Sequence, residues 1–372
     1  MTFTAFWLEY SMILLSLLLM CALDVQGIWI PRWSIDDHEN VLASLEGKCN
    51  HVFLQVFALG EAYYPSHIVP SRRQDDYWLK NFLEEAHKRN IKVSAWINTF
   101  YSWGYAPITR NRGHPVNLHP NWYVQGQSGE SILGMEVEQM RRQGIEGYYL
   151  APANRQVRDF MFRVVDEILD LYDFDGVHLD YVRYPTRDFV YDAALLSEFM
   201  SKYYVDPREL SEPDLVSRFG TWGCADLEKN WHEFVRADLT SFIRELASRI
   251  AAKRSAVQLS AAVKADYVTA SKEYYQDWLT WVNSDWVDFV CLMAYGNNIG
   301  GLLKKTLAAV NDPHKIAVGL GIYRLGVEEI RQQVKQVAAM PFAGVVFFSY
   351  DELEKNRGYL DVLGQTPPYG SR

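Results

Sequence analysis

A carboxylate at the end of an apolar stretch is the first candidate for chemistry in this sequence. In residues 174–185, FDGVHLDYVRYP, the apolar Val177 and Leu179 alternate with His178 and Asp180, which predicts a β-strand with two distinct faces. Pro185 closes the stretch, because proline cannot continue a central strand. A buried carboxylate is unfavourable unless it is paired or used, so we expect Asp180 to act in function rather than only to cap the following loop.

Strand-like and helix-like patterns alternate eight times along the chain. The other predicted strands cover residues 27–33, 51–58, 92–98, 257–263, 289–295, 316–322 and 345–350, and the clearest amphipathic helix spans residues 156–172. This alternation favours an α/β protein with a (β/α)8 TIM barrel, in which long loops follow strands 3 and 4 at residues 99–154 and 186–225. A doubly wound open sheet is the alternative, but no glycine-rich phosphate loop follows the first strand.

Residues that follow the predicted strands would meet at one face of such a barrel. Asp180 ends strand 4 and Glu61 follows strand 2. Hydrolysis of a glycosidic bond needs one carboxylic acid and one carboxylate, so we predict Asp180 as the nucleophile or base and Glu61 as the proton donor. The predicted sugar-binding residues, which lie at strand ends or in aromatic loops, are Asn98, Arg183, Tyr295, His178, Trp103, Trp122 and Tyr63.

The composition favours a carbohydrate ligand. The chain contains 12 Trp, 23 Tyr and 18 Phe, and many of these rings fall in predicted loops, where aromatic rings commonly stack on sugars. The formal net charge of −9 and the lack of a basic cluster argue against a nucleic-acid partner. Neither the 9 His nor the 4 Cys show metal-ligand spacing, and no GxSxG motif occurs, so we expect neither a metal nor a cofactor.

The N-terminus predicts export. Residues 12–23 form an apolar run that is too short to span a bilayer and has the length of a signal-peptide core. A basic segment before the run and a small-residue cleavage motif after it are both missing, so a buried N-terminal helix is the alternative. We assign residues 1–24 to a signal peptide or N-terminal anchor, residues 25–372 to a single barrel domain, and the protein to the cell envelope or the exterior. Any membrane association is expected through residues 1–24 alone.

Several segments resemble one known family in the order of the chain. They are GEAYYPS (60–66), AWIN (95–98), HPNW (119–122), YLAP (149–152), DGVHLDY (175–181), LSAAV (259–263), QDW (276–278) and MAY (293–295). These segments are similar to glycosyl hydrolase-like family 10, a group of barrel glycosidases that includes bacterial cell-envelope proteins acting on peptidoglycan glycan strands. The resemblance implies a polysaccharide substrate, either a peptidoglycan glycan or another extracellular glycan.

Three positions depart from the patterns of related families. Glu61 stands where the resembling family usually has an aspartate, and Tyr181 stands where some of its members carry a second aspartate after Asp180. The stretch also resembles the family 18 chitinase strand that ends in a catalytic glutamate, but Val182 occupies that position here. We therefore predict a glycosidase, with a carbohydrate-binding pseudoenzyme that lacks turnover as the alternative.

Removing residues 1–24 tests the predicted domain boundary. The first predicted strand begins only a few residues after this segment, at the barrel face opposite the active site. We expect the truncated chain to remain soluble and to keep a cooperative thermal unfolding transition, measured by circular dichroism. Loss of that transition would show that residues 1–24 belong to the core.

Overall fold

The computed structural model describes residues 25–35 and 38–364, and the predicted leader lies outside this range. Within the described residues, eight parallel strands form a closed barrel. They are β1 Val25–Ile30, β2 His51–Ala58, β3 Lys92–Asn98, β4 Gly176–Asp180, β5 Gln258–Lys264, β6 Phe289–Met293, β7 Ile316–Gly321 and β8 Gly344–Phe348. Each strand pairs with the next, and β8 pairs with β1, so the predicted (β/α)8 barrel is confirmed.

The strand ends follow the local chemistry of the chain. Strands β2 and β3 have the predicted bounds, but β1 ends at Ile30 rather than at residue 33, because Pro31 has no amide hydrogen for a neighbouring strand. Strand β4 ends at Asp180 instead of continuing towards Pro185. The next residue, Tyr181, has a φ of 53°, a left-handed conformation that turns the chain out of the sheet.

At least one helix follows each strand along the chain. The helices are α1 His38–Leu45, α2 Tyr77–Lys88, α3 Pro115–Leu118, α4 Val137–Arg142, α5 Arg155–Leu171, α6 Ala193–Tyr203, α7 Pro213–Lys253, α8 Tyr267–Glu273, α9 Trp278–Asn283, α10 Gly300–Leu307, α11 Val327–Ala338, α12 Tyr350–Lys355 and α13 Gly358–Gly364. The sequence predicts a loop over residues 186–225, but helix α7 begins within this range. It begins at Pro213, a favoured first helical residue, and consists of two helical segments that meet at Gly220 (φ 70°, ψ 166°).

The long connection after β3, residues 99–147, is an ordered insertion. Its strand Tyr101–Trp103 pairs antiparallel with Tyr148–Tyr149, and helices α3 and α4 lie between them in sequence. The sequence predicts only a loop here, yet Tyr123, Val124 and Ile132 are buried in the main hydrophobic core. The prediction failed because these elements are too short for a periodic pattern to be visible.

Side chains from alternate strand positions fill the interior of the barrel. Trp29, Phe53 and Phe289 belong to this inner cluster. His178, a predicted sugar ligand, is fully buried there: its Nε2 accepts a hydrogen bond from Trp29 Nε1 (3.0 Å), and its Nδ1 donates to Ser260 Oγ (2.9 Å). Burial holds the pKa of His178 well below its usual value, so the structure places a neutral core residue at this position.

Trp122, another predicted sugar ligand, is packed between the insertion and a barrel helix. Its side chain is only 5% exposed. The indole ring stacks on His119 with ring centroids 3.8 Å apart, and its Nε1 donates a hydrogen bond to Gln156 Oε1 at 3.0 Å. Phe160 of α5 also contacts the ring. Trp122 therefore joins the insertion to α5, and we expect its main contribution to be to stability.

Replacing Trp122 by alanine should destabilise the protein. Truncating a buried tryptophan costs about 3–5 kcal/mol, because packing is lost and a cavity remains. We expect this loss in the free energy of unfolding of Trp122→Ala, measured by urea denaturation. Trp222→Ala is the matched control, since Trp222 is 87% exposed and its removal should change stability by less than about 0.5 kcal/mol. Equal stability of the two variants would contradict the packing role.

Candidate active site

A cavity of about 750 Å³ opens at the carboxyl ends of the barrel strands. The residues that line it are Trp29, Arg32, Trp33, Gln55, Leu59, Trp96, Asn98, Tyr101, Trp103, Gly104, Tyr105, Ala106, Glu146, Asp180, Tyr181, Arg183, Ala262, Lys264, Met293, Tyr295, Tyr323, Arg324 and Phe348. Some belong to strand ends and others to the insertion after β3. Because active sites of (β/α)8 barrels lie at this face, the cavity is the candidate active site.

Asp180 lines the cavity with 9% of its surface exposed. Both carboxylate oxygens accept hydrogen bonds: Oδ1 from the backbone N–H of Tyr181 at 2.7 Å, and Oδ2 from the Trp96 indole N–H at 3.1 Å. Burial raises the pKa of Asp180 to about 6, although the positive charge of Arg183 acts in the opposite direction. The side chain is therefore held in one orientation and can exchange a proton near neutral pH.

Glu146 is a second carboxylate in the cavity, and no periodic pattern marks it in the sequence. Its Oε2 accepts hydrogen bonds from Arg183 Nη2 at 2.6 Å and from the Tyr149 hydroxyl at 2.9 Å, while Lys264 Nζ lies 3.7 Å from Oε1. Burial alone would raise the pKa of Glu146, but the charges of Arg183 and Lys264 outweigh burial and hold the pKa below its usual value. One cavity thus contains two carboxyl groups whose pKa values are moved in opposite directions.

The backbone beside Glu146 explains how the insertion brings it to the cavity. Gly147 has a φ of 154°, and a Cβ at this position would lie 2.2 Å from the Trp103 carbonyl oxygen. Only glycine therefore fits where Tyr148–Tyr149 approaches Tyr101–Trp103. A glycine immediately before a pair of tyrosines is the one sequence signal that could have located this turn.

Arg183 connects the insertion to the barrel. Its side chain is 3% exposed, and its guanidinium lies 4.9 Å from the ring centroid of Tyr181 and 5.2 Å from that of Tyr274. Because Arg183 follows β4 and Glu146 belongs to the insertion, their ion pair holds the two parts together. Lys264 ends β5 beside the same carboxylate, and burial, together with the charge of Arg183, lowers its pKa. The structure thus brings Arg183 to the cavity as the partner of Glu146.

Three other predicted sugar ligands also line the cavity, namely Asn98, Trp103 and Tyr295. Asn98 Oδ1 accepts a hydrogen bond from Gln55 Nε2 at 3.2 Å, which orients its amide group. Trp103 is 7% exposed and donates its indole N–H to the Ala106 carbonyl at 3.0 Å. The remaining predicted ligands are not among the lining residues; they are Tyr63, His178 and Trp122.

Glu61, the predicted proton donor, does not line the cavity either. It is buried in the two-residue strand Glu61–Ala62, which folds back along β2. Its Oε2 accepts a 2.5 Å hydrogen bond from Arg72 Nε. The chain reverses at Leu59 (φ 54°) and Gly60 (φ 69°). Glu61 therefore runs back beside β2 instead of extending beyond the end of the strand. For this reason Glu61 does not lie with the strand-end residues that line the cavity.

Two arginines and two exposed aromatic rings, which we call the cationic rim, also line the cavity. Arg32 and Trp33 follow β1, and Tyr323 and Arg324 follow β7. Trp33 is 57% exposed and Tyr323 is 45% exposed. The Arg32 guanidinium lies 4.8 Å from the Trp33 ring centroid, and that of Arg324 lies 5.4 Å from the Tyr323 centroid. None of these four residues is among the sugar-binding residues predicted from the sequence.

The fold and the cavity define a class of protein: a (β/α)8 barrel with two carboxyl groups and aromatic walls at the carboxyl ends of its strands. A family model described as Glycosyl hydrolase-like 10 matches residues 27–324 of the chain. The protein therefore belongs to this family, and the resemblance inferred from its motifs is confirmed.

Two curated relatives match shorter parts of the chain. It is 26% identical to glycosyl hydrolase YngK of Bacillus subtilis (strain 168) over 149 residues, which are 37% of this chain and 26% of that protein. It is 29% identical to glycosyl hydrolase DigH of Escherichia coli (strain K12) over 140 residues, which are 35% of this chain and 30% of that protein. This chain therefore spans less than a third of the length of either relative in these matches.

Among solved structures, a β-galactosidase from Rahnella sp. R3 aligns with 91% of this chain and 55% of its own, with a TM-score of 0.61 and 14% sequence identity. At this identity the likeness concerns the fold alone. In residues 25–35 and 38–364, no group of three or more His, Cys, Asp or Glu side chains is arranged to hold a metal ion. No helix in the same part of the chain is both long and apolar enough to cross a membrane.

The raised pKa of Asp180 predicts a pH-dependent contribution to stability. An aspartate in the unfolded chain titrates near 3.8, whereas Asp180 in the folded protein titrates at about 6. Between these values the folded state binds the additional proton, so this contribution to stability is present at low pH and is lost as the pH rises through about 6. We expect the free energy of unfolding of Asp180→Asn, relative to wild type, to rise by about 2–3 kcal/mol from pH 4 to pH 7.

The comparison of the two proteins isolates this site. The single oxygen of the asparagine amide cannot replace both carboxylate oxygens as acceptors for Trp96 and Tyr181. The stability lost in this way does not vary with pH. Other buried acids with raised pKa values, such as Asp192 and Asp238, titrate in both proteins and cancel in the difference. Urea denaturation of both proteins at several pH values measures the difference in their free energies of unfolding. A difference that stays constant across this range would show that Asp180 titrates at its usual value.

Proposed function

We propose that this protein hydrolyses glycosidic bonds in a polysaccharide, either a peptidoglycan glycan or another extracellular glycan. The observation that carries the proposal is the pair of carboxyl groups, Asp180 and Glu146, in one cavity of a glycosyl hydrolase-like barrel. Glycoside hydrolysis needs one carboxyl group that donates a proton to the leaving oxygen and a second that acts in its ionised form. The raised pKa of Asp180 and the lowered pKa of Glu146 support this division of roles.

Asp180 is the proton donor in this mechanism, because burial favours its protonated form. Glu146 acts as the base that activates water or as the nucleophile that attacks the anomeric carbon. Its Oε2 already accepts from Arg183 and Tyr149, so Oε1 is the oxygen available for the reaction. This assignment reverses the role that the sequence predicts for Asp180 and makes Glu146, rather than Glu61, its partner.

The remaining polar and aromatic groups of the cavity orient the sugar. Asn98, held by Gln55, presents an amide that can bond sugar hydroxyl groups. Tyr295 and Trp103 add aromatic surface to the wall. The apolar run at residues 12–23 supports export, so we place this activity in the cell envelope or outside the cell.

Carbohydrate binding without turnover is the second candidate. The 2.6 Å contact between Arg183 and Glu146 favours it, because a carboxylate in a short charge-assisted hydrogen bond is a weaker base and nucleophile. In that case the cavity binds a glycan and releases it unchanged.

The dependence on the leaving group tests the assignment of roles. Asp180→Asn should lose about 10²–10⁴-fold in kcat on a glycan, whose sugar leaving group needs a proton. The same variant should keep most of its activity on a matched nitrophenyl glycoside, since nitrophenolate leaves without a proton. Glu146→Gln should be inactive on both substrates, because the base or nucleophile is needed for either. Steady-state kinetics on a panel of envelope glycans and aryl glycosides measures these differences.

Each alternative gives a different pattern in this experiment. If Asp180→Asn is inactive on both substrates and Glu146→Gln is impaired only on the glycan, the two roles are exchanged. Glu61→Gln should behave like wild type on both, and a loss confined to the glycan would restore Glu61 as the donor. Wild-type protein that binds a glycan and forms no product from any member of the panel would favour the second candidate.

A further inference from the structure

The cavity contains positive charge that the proposed mechanism does not use. Four cationic and two acidic side chains line it, in a chain whose formal net charge is −9. Two of the cations, Arg183 and Lys264, lie beside Glu146. Among the residues that the structure describes, Arg32 and Arg324 of the cationic rim have no carboxylate partner. Both side chains line the cavity, so an anionic group of a bound ligand can reach them.

Both arginines are oriented by their neighbours. Arg32 Nη1 donates to Gln55 Oε1 at 2.9 Å, and its guanidinium lies over the exposed ring of Trp33. Arg324 lies over the exposed ring of Tyr323 in the same way. A planar guanidinium matches the two oxygens of a carboxylate, while an exposed ring beside it can stack on the face of a sugar. The rim thus offers two sites, each with a guanidinium for a carboxylate and an exposed ring for the face of a sugar.

The rim lies across the mouth of the barrel from the strand that carries Asp180. Its residues follow β1 and β7, the two neighbours of β8, and β8 is opposite β4 in the eight-stranded barrel. Arg183, Glu146 and Lys264 are charged side chains that interact with Asp180, and none of them belongs to the rim. A glycan in the cavity can therefore contact the rim on one side and Asp180 on the other.

We propose that Arg32 and Arg324 bind a carboxylate of the glycan, so that the substrate class is an acidic polysaccharide. The inference rests on the proposed function in taking a glycan as the ligand. A neutral glycan that covered the rim would remove water from two guanidinium groups without supplying an anion, which is unfavourable. The carboxylate has two chemical sources, a uronic acid or the lactyl ether of an amino sugar, and the experiment separates them.

Two matched pairs of probes test the proposal with the full-length protein. One pair is a galacturonate tetrasaccharide and its carboxyl-reduced, neutral form. The other is a tetrasaccharide of alternating N-acetylglucosamine and N-acetylmuramic acid and its counterpart without lactyl groups, tetra-N-acetylchitotetraose. Binding is measured by calorimetry in the Asp180→Asn background, so that no probe is consumed. We expect the acidic member of one pair to bind at least about tenfold more tightly than its neutral counterpart, with a preference that falls as salt is added.

Substitutions in the rim should remove this preference. Arg32→Gln and Arg324→Gln should each reduce the affinity for the preferred acidic probe by about tenfold and change the affinity for its neutral counterpart less. Arg218→Gln is the matched control, because Arg218 also stacks on an exposed ring, that of Phe219 at 4.9 Å, but lies outside the cavity lining. This control should keep the full preference.

The outcomes separate this inference from the proposed function. Equal binding of both members in both pairs, or no binding of either acidic probe, would overturn the inference. If both rim variants still prefer the acidic probe to its neutral counterpart as strongly as the protein that keeps both arginines does, the inference is overturned as well. In these cases hydrolysis of a neutral glycan by wild type would leave the proposed function standing. Binding that depends on the carboxylate and on the rim, with no product from either acidic probe or from any member of the glycan panel, would support the inference and reject the proposed function.

Discussion

The ion pair between Arg183 and Glu146 is the interaction on which the rest of the site depends. A guanidinium that is 3% exposed is strongly unfavourable without a carboxylate, so the pair requires the insertion after β3 to fold against the mouth of the barrel. The rings of Tyr149, Tyr181 and Tyr274 surround the guanidinium and keep water away from it. The same positive charge holds Glu146 ionised and limits the rise in the pKa of Asp180, so one contact sets the difference between the two carboxyl groups.

The barrel could be predicted because its strands are apolar runs at regular intervals. Residues 51–58 and 92–98 are continuously strand-like, and both were located to the residue. Asp180 followed from the same pattern, since it ends such a run. Glu146 could not be found in this way, because it contacts Arg183 across 37 residues from an insertion whose elements are only a few residues long. Glu61 was misplaced because a turn of two left-handed residues reverses the chain directly after β2.

The aromatic content indicated sugar contacts but not which rings would make them. Trp122 lies in a predicted loop and Trp33 at the end of the first predicted strand, yet the first is 5% exposed and the second is 57% exposed. The difference arises because the insertion has a buried interior of its own that needs large apolar side chains, whereas the turn after β1 has none to fill. The composition gives the number of aromatic rings in the chain, but the exposed fraction of each ring depends on how it packs in the fold.

The hydrogen bonds of His178 have a consequence for how protons reach the cavity. This ring lies two residues before Asp180 on the inner face of β4, its Nε2 lone pair is used by Trp29, and its Nδ1 proton is used by Ser260. Because burial keeps the imidazole neutral, it cannot pass a proton from the closed end of the barrel to Asp180. Asp180 lines the open cavity, so water in the mouth can exchange protons with its carboxyl group. A ligand that fills the mouth takes the place of this water, so Asp180 then exchanges its proton with the ligand rather than with bulk solvent.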